Sequence, residues 1–201
     1  MIKHFALAAI LAAASAAASA AGPNLLLDGD FESTPVAAGG WTTVSATPGW
    51  TSTTHGIELR NDAVGVAESG VNFVELDTDQ NSSMYQTVTL AAGEYTLSFW
   101  VQDRAGTDAA TNGLSVSVGG LLPTQVLAGG AYPEWTKVTE TFDVGTATTT
   151  TLTFAAAGVS DSLGTSLDNV SLTAVPEPSG LVLAASGLAL LGLARRRARK
   201  A

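Results

Sequence analysis

Gly93-Glu94-Tyr95-Thr96-Leu97-Ser98-Phe99-Trp100-Val101-Gln102-Asp103 is the stretch that decides the fold. Tyr95, Leu97, Phe99 and Val101 share one parity, and Thr96, Ser98 and Trp100 take the other. Successive side chains of a strand point to opposite faces, so a period of two marks a strand with one buried face. The pattern recurs outward from this stretch. Leu114, Val116 and Val118 alternate with Ser115 and Ser117, and Leu152 and Phe154 with Thr151 and Thr153. Val138, Phe142 and Val144 share a parity against Lys137, Thr139, Thr141 and Asp143, and Val170 and Leu172 alternate with Asn169 and Ser171. Residues 72–76 and 83–90 read as further strands. Breaks such as Ala92-Gly93, Thr111-Asn112-Gly113, Gly119-Gly120 and Gly129-Gly130 separate these segments. No ten-residue stretch between the chain's two ends carries a helical stripe. Eight or more antiparallel strands at this spacing predict an all-β, two-sheet antiparallel jelly-roll sandwich.

The ends read as processing segments. Lys3 and His4 precede an apolar run over residues 5–14 and a small-residue stretch ending Ala18-Ser19-Ala20. That order is a signal peptide over residues 1–20, with cleavage before Ala21. At the other end Val175-Pro176-Glu177-Pro178 leads into 16 uncharged residues, 179–194, and then Arg195, Arg196, Arg197, Arg199 and Lys200. Two prolines bracketing Glu177 favour an extended backbone, which an enzyme can read as a stiff strand just outside a membrane. The basic cluster is held on the cytoplasmic side. This ending resembles the PEP-CTERM sorting signal of Gram-negative bacteria that make extracellular polysaccharide. The resemblance implies processing by a membrane-embedded exosortase, with Pro176, Glu177, Pro178 and Arg195 to Arg197 as the sorting residues. A permanent single-span anchor would use much the same residues, so cleaved and retained tails both stay open. The division expected is residues 1–20 signal peptide, 21–174 sandwich domain and 175–201 sorting segment.

Charge narrows the function. Residues 22–175 hold three cations, Arg60, Arg104 and Lys137, against 17 carboxylates, a net of −14. Such a body repels phosphate backbones, which excludes nucleic acid as a partner, and it suits an extracellular protein or a binder of divalent cations. The chain has no cysteine, so disulfides, thiolate metal sites and a Cys nucleophile are all excluded. Beyond the signal peptide His55 is the sole histidine, and no Ser/His/Asp arrangement or multi-His metal centre can be assembled from motifs. The chain reads as a non-enzyme.

The order of motifs along the body carries a second likeness. Asn24-Leu25-Leu26-Leu27-Asp28-Gly29-Asp30-Phe31-Glu32 opens it, Pro48-Gly49-Trp50 and Asn72-Phe73-Val74-Glu75-Leu76-Asp77 follow, and Ser166-Leu167-Asp168-Asn169-Val170-Ser171-Leu172 closes it. This resembles the galactose-binding-like sandwich superfamily, close to carbohydrate-binding modules. Asp168 has the parity of Val170 and Leu172 and so is expected to point into the sandwich, where a carboxylate is costly without a partner. The resemblance implies that the first and last strands meet and that Glu32 lies near Asp168. With the Asp28-Gly29-Asp30 turn, the two would form an all-oxygen nest suited to a structural Ca²⁺, with Asp28 and Asp30 as further ligands. Alternatively Glu32 and Asp168 accept backbone N–H bonds and bind nothing.

Sugars offer apolar C–H faces to aromatic rings and hydroxyls to a few polar groups. Trp41, Trp50, Tyr85, Trp100, Tyr132 and Trp135 are available. Trp100 lies opposite to the row of Leu97 and Phe99, which makes it the ring expected on an open face, with Gln102 and Arg104 as polar companions. Cover by a loop is the alternative. The function expected is an exported, non-catalytic surface or matrix protein that binds polysaccharide, such as the exopolysaccharide of a biofilm matrix. The alternative is a structural or adhesive protein that contacts other proteins without a sugar site.

Overall fold

The alternating segments pair into eleven antiparallel strands in a computed structural model that describes residues 22–176. The signal peptide, Glu177, Pro178, the apolar run and Arg195 to Arg197 lie outside the described residues. The strands are β1 (Gly40–Val44), β2 (Thr51–Ser52), β3 (Ile57–Asn61), β4 (Asn72–Glu75), β5 (Ser83–Leu90), β6 (Gly93–Gln102), β7 (Gly113–Val118), β8 (Leu122–Ala128), β9 (Thr136–Val144), β10 (Thr148–Ala156) and β11 (Ser166–Ala174). They form a six-stranded sheet, β1-β3-β4-β11-β6-β9, and a five-stranded sheet, β2-β5-β10-β7-β8. Pro23–Ala174 make one compact unit, and the described residues contain no helix.

The predicted parity builds the core. Leu97, Phe99 and Val101 of β6, Val74 of β4 and Leu167 of β11 are buried against Met84 and Val88 of β5 and Leu152 and Phe154 of β10. Phe99 and Phe154 meet edge to face across the two sheets at 5.1 Å between centroids, the arrangement the ring quadrupole favours. Each such side chain contributes about 1.5–3 kcal/mol on leaving water. Trp50 is fully buried between Phe31 and Phe154 and donates Nε1–H to the Asp28 carbonyl at 3.0 Å.

Four strands, β1, β2, β3 and β8, lie outside the expected set. β3 escapes because its alternation is short, Ile57 and Leu59 against Glu58 and Arg60, and all five of its residues are buried. β8 is a mostly exposed edge strand with Pro123 near its start, a place where a missing N–H is tolerated.

Two expectations near the opening motif are corrected. Residues 24–32 form no strand; they run beside β11, with Leu25 N–H donating to Leu172 O (2.8 Å) and Val170 N–H to Gly29 O (2.7 Å). Gln86 clasps Leu27 through its N–H and carbonyl at 2.8 and 3.0 Å. The opening and closing motifs therefore meet as the resemblance implied. Asp168, however, does not point into the sandwich. The β6–β11 register slips between Asp168 and Ser171, and Asn169 takes a left-handed φ of 49°. The inserted residue breaks the parity. Leu167 opposite Val101 faces inward, and Asp168 pairs with Trp100 on the outer face of the six-stranded sheet.

Candidate functional site

The outer face of the six-stranded sheet gathers the charges that the sequence scatters. Trp41 lies opposite Arg60, Glu58 opposite Glu75, and Ser166 opposite both Glu75 and Gln102. Opposite residues of antiparallel strands share a face with Cβ atoms about 5 Å apart, so strand pairing alone makes a cluster here. Arg60 donates through Nε to Glu58 Oε1 at 2.7 Å and pairs through Nη1 with Glu75 Oε2 at 2.6 Å. Arg104, from the segment after β6, brings Nη1 to 3.5 Å from both Glu75 oxygens and 3.3 Å from Ser162 O. Glu75 is completely buried. That burial pushes its carboxyl up to about 8, against the pull of Arg60 and Arg104 in the opposite direction.

Above this network opens a cavity of about 240 Å³ lined by Trp41, Glu58, Arg60, Val64, Thr78, Arg104 and Ser162. Trp41, on the edge strand β1, is 64% exposed. A second cavity of about 160 Å³ adjoins through Val64 and Arg104, and Gln102, Phe73 and Ser166 line it. Val64 has φ 65°, a left-handed conformation that a β-branched residue adopts only under local constraint. An exposed ring beside fixed charged donors and acceptors can hold a polar ligand with apolar C–H faces.

The 62–71 segment between β3 and β4 covers the neighbouring part of this face, and Asp168 and Glu32 hold it. Asp168 Oδ2 accepts from Glu68 N (2.9 Å) and Ser69 N (3.1 Å), and Oδ1 from Asn169 N (2.6 Å). Glu32 Oε1 accepts from Val71 N and Asn72 N, both at 2.8 Å. Trp135 packs edge-on against Phe73 and donates Nε1–H to Val66 O. Burial raises the Asp168 carboxyl to about 7, with the N–H donors of Ser69, Asn169 and Glu68 opposing.

The predicted ligand residues thus divide. Gln102 and Arg104 line one cavity together, while half-buried Trp100 sits beside Asp168 and lines neither cavity. The ring at the larger cavity is Trp41. Glu58, Arg60 and Glu75 escaped the sequence reading; opposite charges on one parity of two short strands are the signal that carried them. Of the residues expected at a metal, Asp30 is exposed, and Glu32 and Asp168 grip backbone N–H groups of the same segment. The carbonyls of Asp28 and Gly29 accept from Trp50 and Val170. Asp28 Oδ2 and Asn72 Oδ1, both beside this turn, are buried without a hydrogen-bond partner. Among the described residues no three acidic or histidine side chains converge on a metal position.

Residues 174–200 match the PEP-CTERM protein-sorting motif. No curated protein matches the chain. Among solved structures, the domain is similar to TmCBM61 in complex with β-1,4-galactotriose, with a TM-score of 0.53, 18% identity, and 77% of this chain and 100% of that chain covered. It is similar to an apo-form cyclase from Fischerella sp., with a TM-score of 0.56, 15% identity, and 78% and 97% covered. It is also similar to part of the arabinose-bound α-L-arabinofuranosidase MgGH51, with a TM-score of 0.54, 10% identity, and 75% and 26% covered. At these identities the likeness is one of fold. The class is an all-β jelly-roll sandwich of the kind carbohydrate-binding modules use. This chain joins it to a PEP-CTERM sorting motif, which marks an exported protein with a C-terminal sorting signal.

Proposed function

We propose that the sandwich is a non-catalytic module that binds polysaccharide at the cavity walled by Trp41. One observation carries the reading: an exposed Trp41 on an edge strand lines a cavity together with Glu58, Arg60 and Arg104, whose charges are paired with each other and with the buried Glu75. The indole stacks on the C–H face of a pyranose, and rigidly paired charges accept from and donate to its hydroxyls without having to be ordered on binding. The galactotriose held by TmCBM61 makes β-1,4-galactan the first probe. A shallow site with one ring gives a Kd on the order of 10–1,000 µM.

The sorting motif supports a route in which an exosortase-type enzyme processes the tail and the domain reaches the cell surface or matrix of a Gram-negative bacterium. The membrane is then a transient partner. The partnerless Asp28 Oδ2 and Asn72 Oδ1 beside Glu32 support a structural Ca²⁺ at the opening turn, where Asp28 and Glu32 would hold it and join that turn to β4.

Calorimetric titration of β-1,4-galactan and several acidic and neutral exopolysaccharides into wild type and Trp41→Ala tests the binding reading. Wild type is expected to give heat that the variant loses. No heat and no retardation in affinity electrophoresis with any of them would transfer the role to the adhesive reading, with the exposed Val64, Val66 and Val71 of the 62–71 segment as its contact surface.

A further inference from the structure

The turn that joins β4 to β5 holds two more oxygens without partners. Asp77 and Asn81 face each other as an antiparallel bridge pair, which puts their side chains on one side with Cβ atoms about 5 Å apart. Asp77 is 1% exposed. Each side chain uses one terminal atom on the segment that precedes β11. Asp77 Oδ2 accepts from Asp161 N at 2.9 Å and Leu163 N at 3.3 Å, and Asn81 Nδ2 donates to Gly158 O at 2.9 Å. The Gly158 carbonyl fixes the orientation of the Asn81 amide, because the reversed amide would set oxygen against oxygen. What remains is Asp77 Oδ1 and Asn81 Oδ1, both buried and both without a hydrogen bond.

An orphaned buried oxygen costs about 1–3 kcal/mol, more when it is charged. Here the second oxygen of the pair doubles the loss, and the charge is uncompensated. Among the described residues no Lys, Arg or His forms an ion pair with Asp77. Arg104, the nearest guanidinium to this segment by its contact with Ser162 O, is engaged with Glu75. Asp161, whose N–H donates to Asp77, turns its own carboxylate to the Thr111 hydroxyl. Ser160 Oγ, which accepts from Asn81 N at 2.9 Å, adds another oxygen. A bridging water would satisfy the two acceptors and leave the charge unbalanced; a cation answers both needs.

We propose that Asp77 Oδ1 and Asn81 Oδ1 bind one hard divalent cation, Ca²⁺ by their all-oxygen chemistry, between the β4–β5 turn and the segment before β11. Asp79 stays outside the site: its carboxylate is exposed and lies 3.3 Å from His55 Nδ1. With one carboxylate at its centre the site belongs at the weak end of the range, with a Kd of about 0.1–1 mM, as in extracellular modules. It is separate from the opening turn and from the Trp41 cavity.

Calorimetric titration of CaCl₂ into the full-length chain in detergent, after EDTA and exchange, tests this. Asp77→Asn is expected to remove one binding event, and Asn81→Ala, which takes Oδ1 from the pair, is expected to weaken it by about tenfold. Asp28→Asn is expected to leave this event in place, which separates it from any ion at the opening turn. If Asp77→Asn does not fold, the Asn81→Ala comparison decides alone. An absence of calcium heat in the wild type, or an affinity unchanged by Asn81→Ala, would overturn the site.

Discussion

The two outer faces of the sandwich are built on opposite principles. On the five-stranded sheet, Thr87, Thr89, Ser115, Ser117, Thr149 and Thr153 present short hydroxyls, and Thr89 and Thr149 bond each other across strands at 3.0 Å. That face needs no cover, because hydroxyls remain solvated and β-branched residues suit a pleated surface. On the six-stranded sheet the equivalent positions hold Glu58, Arg60, Glu75 and Asp168, all buried. Burying charge is costly, and apolar residues of similar volume often do as well or better for stability. The difference teaches that stability alone does not account for the six-stranded face, which is why the ligand site is proposed there.

Arg60→Met should open the widest gap between the faces. It leaves Glu58 and Glu75 buried without their closest cation and should cost about 3–5 kcal/mol in urea unfolding. Stability should also fall with rising pH, through the same face. Glu75, at about 8 in the fold against 4.5 ordinarily, and Asp168, at about 7 against 3.8, keep protons that the unfolded chain releases. Their contribution is complete below about pH 4, where both states are protonated, and is lost as pH rises through 7 and 8. Unfolding measured from pH 5 to 8 should slope downward, on the order of 1 kcal/mol per pH unit, and Glu75→Gln with Asp168→Asn should flatten it. A flat wild-type profile would show that neither carboxyl is raised.

Gly70→Ala probes the cover over that face. Gly70 has φ 65°, and a Cβ would run into Glu32 Oε1, so the change should cost about 1–2 kcal/mol and loosen amide protection at Val71 and Asn72. Trp41→Ala should weaken galactan binding by about tenfold or more, roughly 1.4 kcal/mol, while stability moves by under about 0.5 kcal/mol. Thr149→Ala on the opposite face should change neither binding nor stability by more than about 0.5 kcal/mol.

Much of this was legible in the residue order. The apolar row of β6 and its counterparts in β5, β7, β9 and β10 predicted a sandwich, because burial of one strand face imposes a period of two whatever the partner strand. The tail was equally legible, since a sorting motif is read as an ordered run of residues. The meeting of the opening and closing motifs followed from the resemblance.

Contacts across strands were settled only by the tertiary structure. Glu58 and Glu75 are 17 positions apart and look unremarkable until strand pairing makes them neighbours of one guanidinium. Asp168 carried inward parity in the sequence, and a single left-handed residue, Asn169, turned it to the other face. Trp100 and Trp41 are both out-of-core rings, but β6 lies between β11 and β9 whereas β1 is an edge, so only Trp41 stands open beside the larger cavity. Periodicity is a local property, set by the geometry of each strand. Register, bulges and strand order depend on which distant segments pair, and those decide which polar residues share a site.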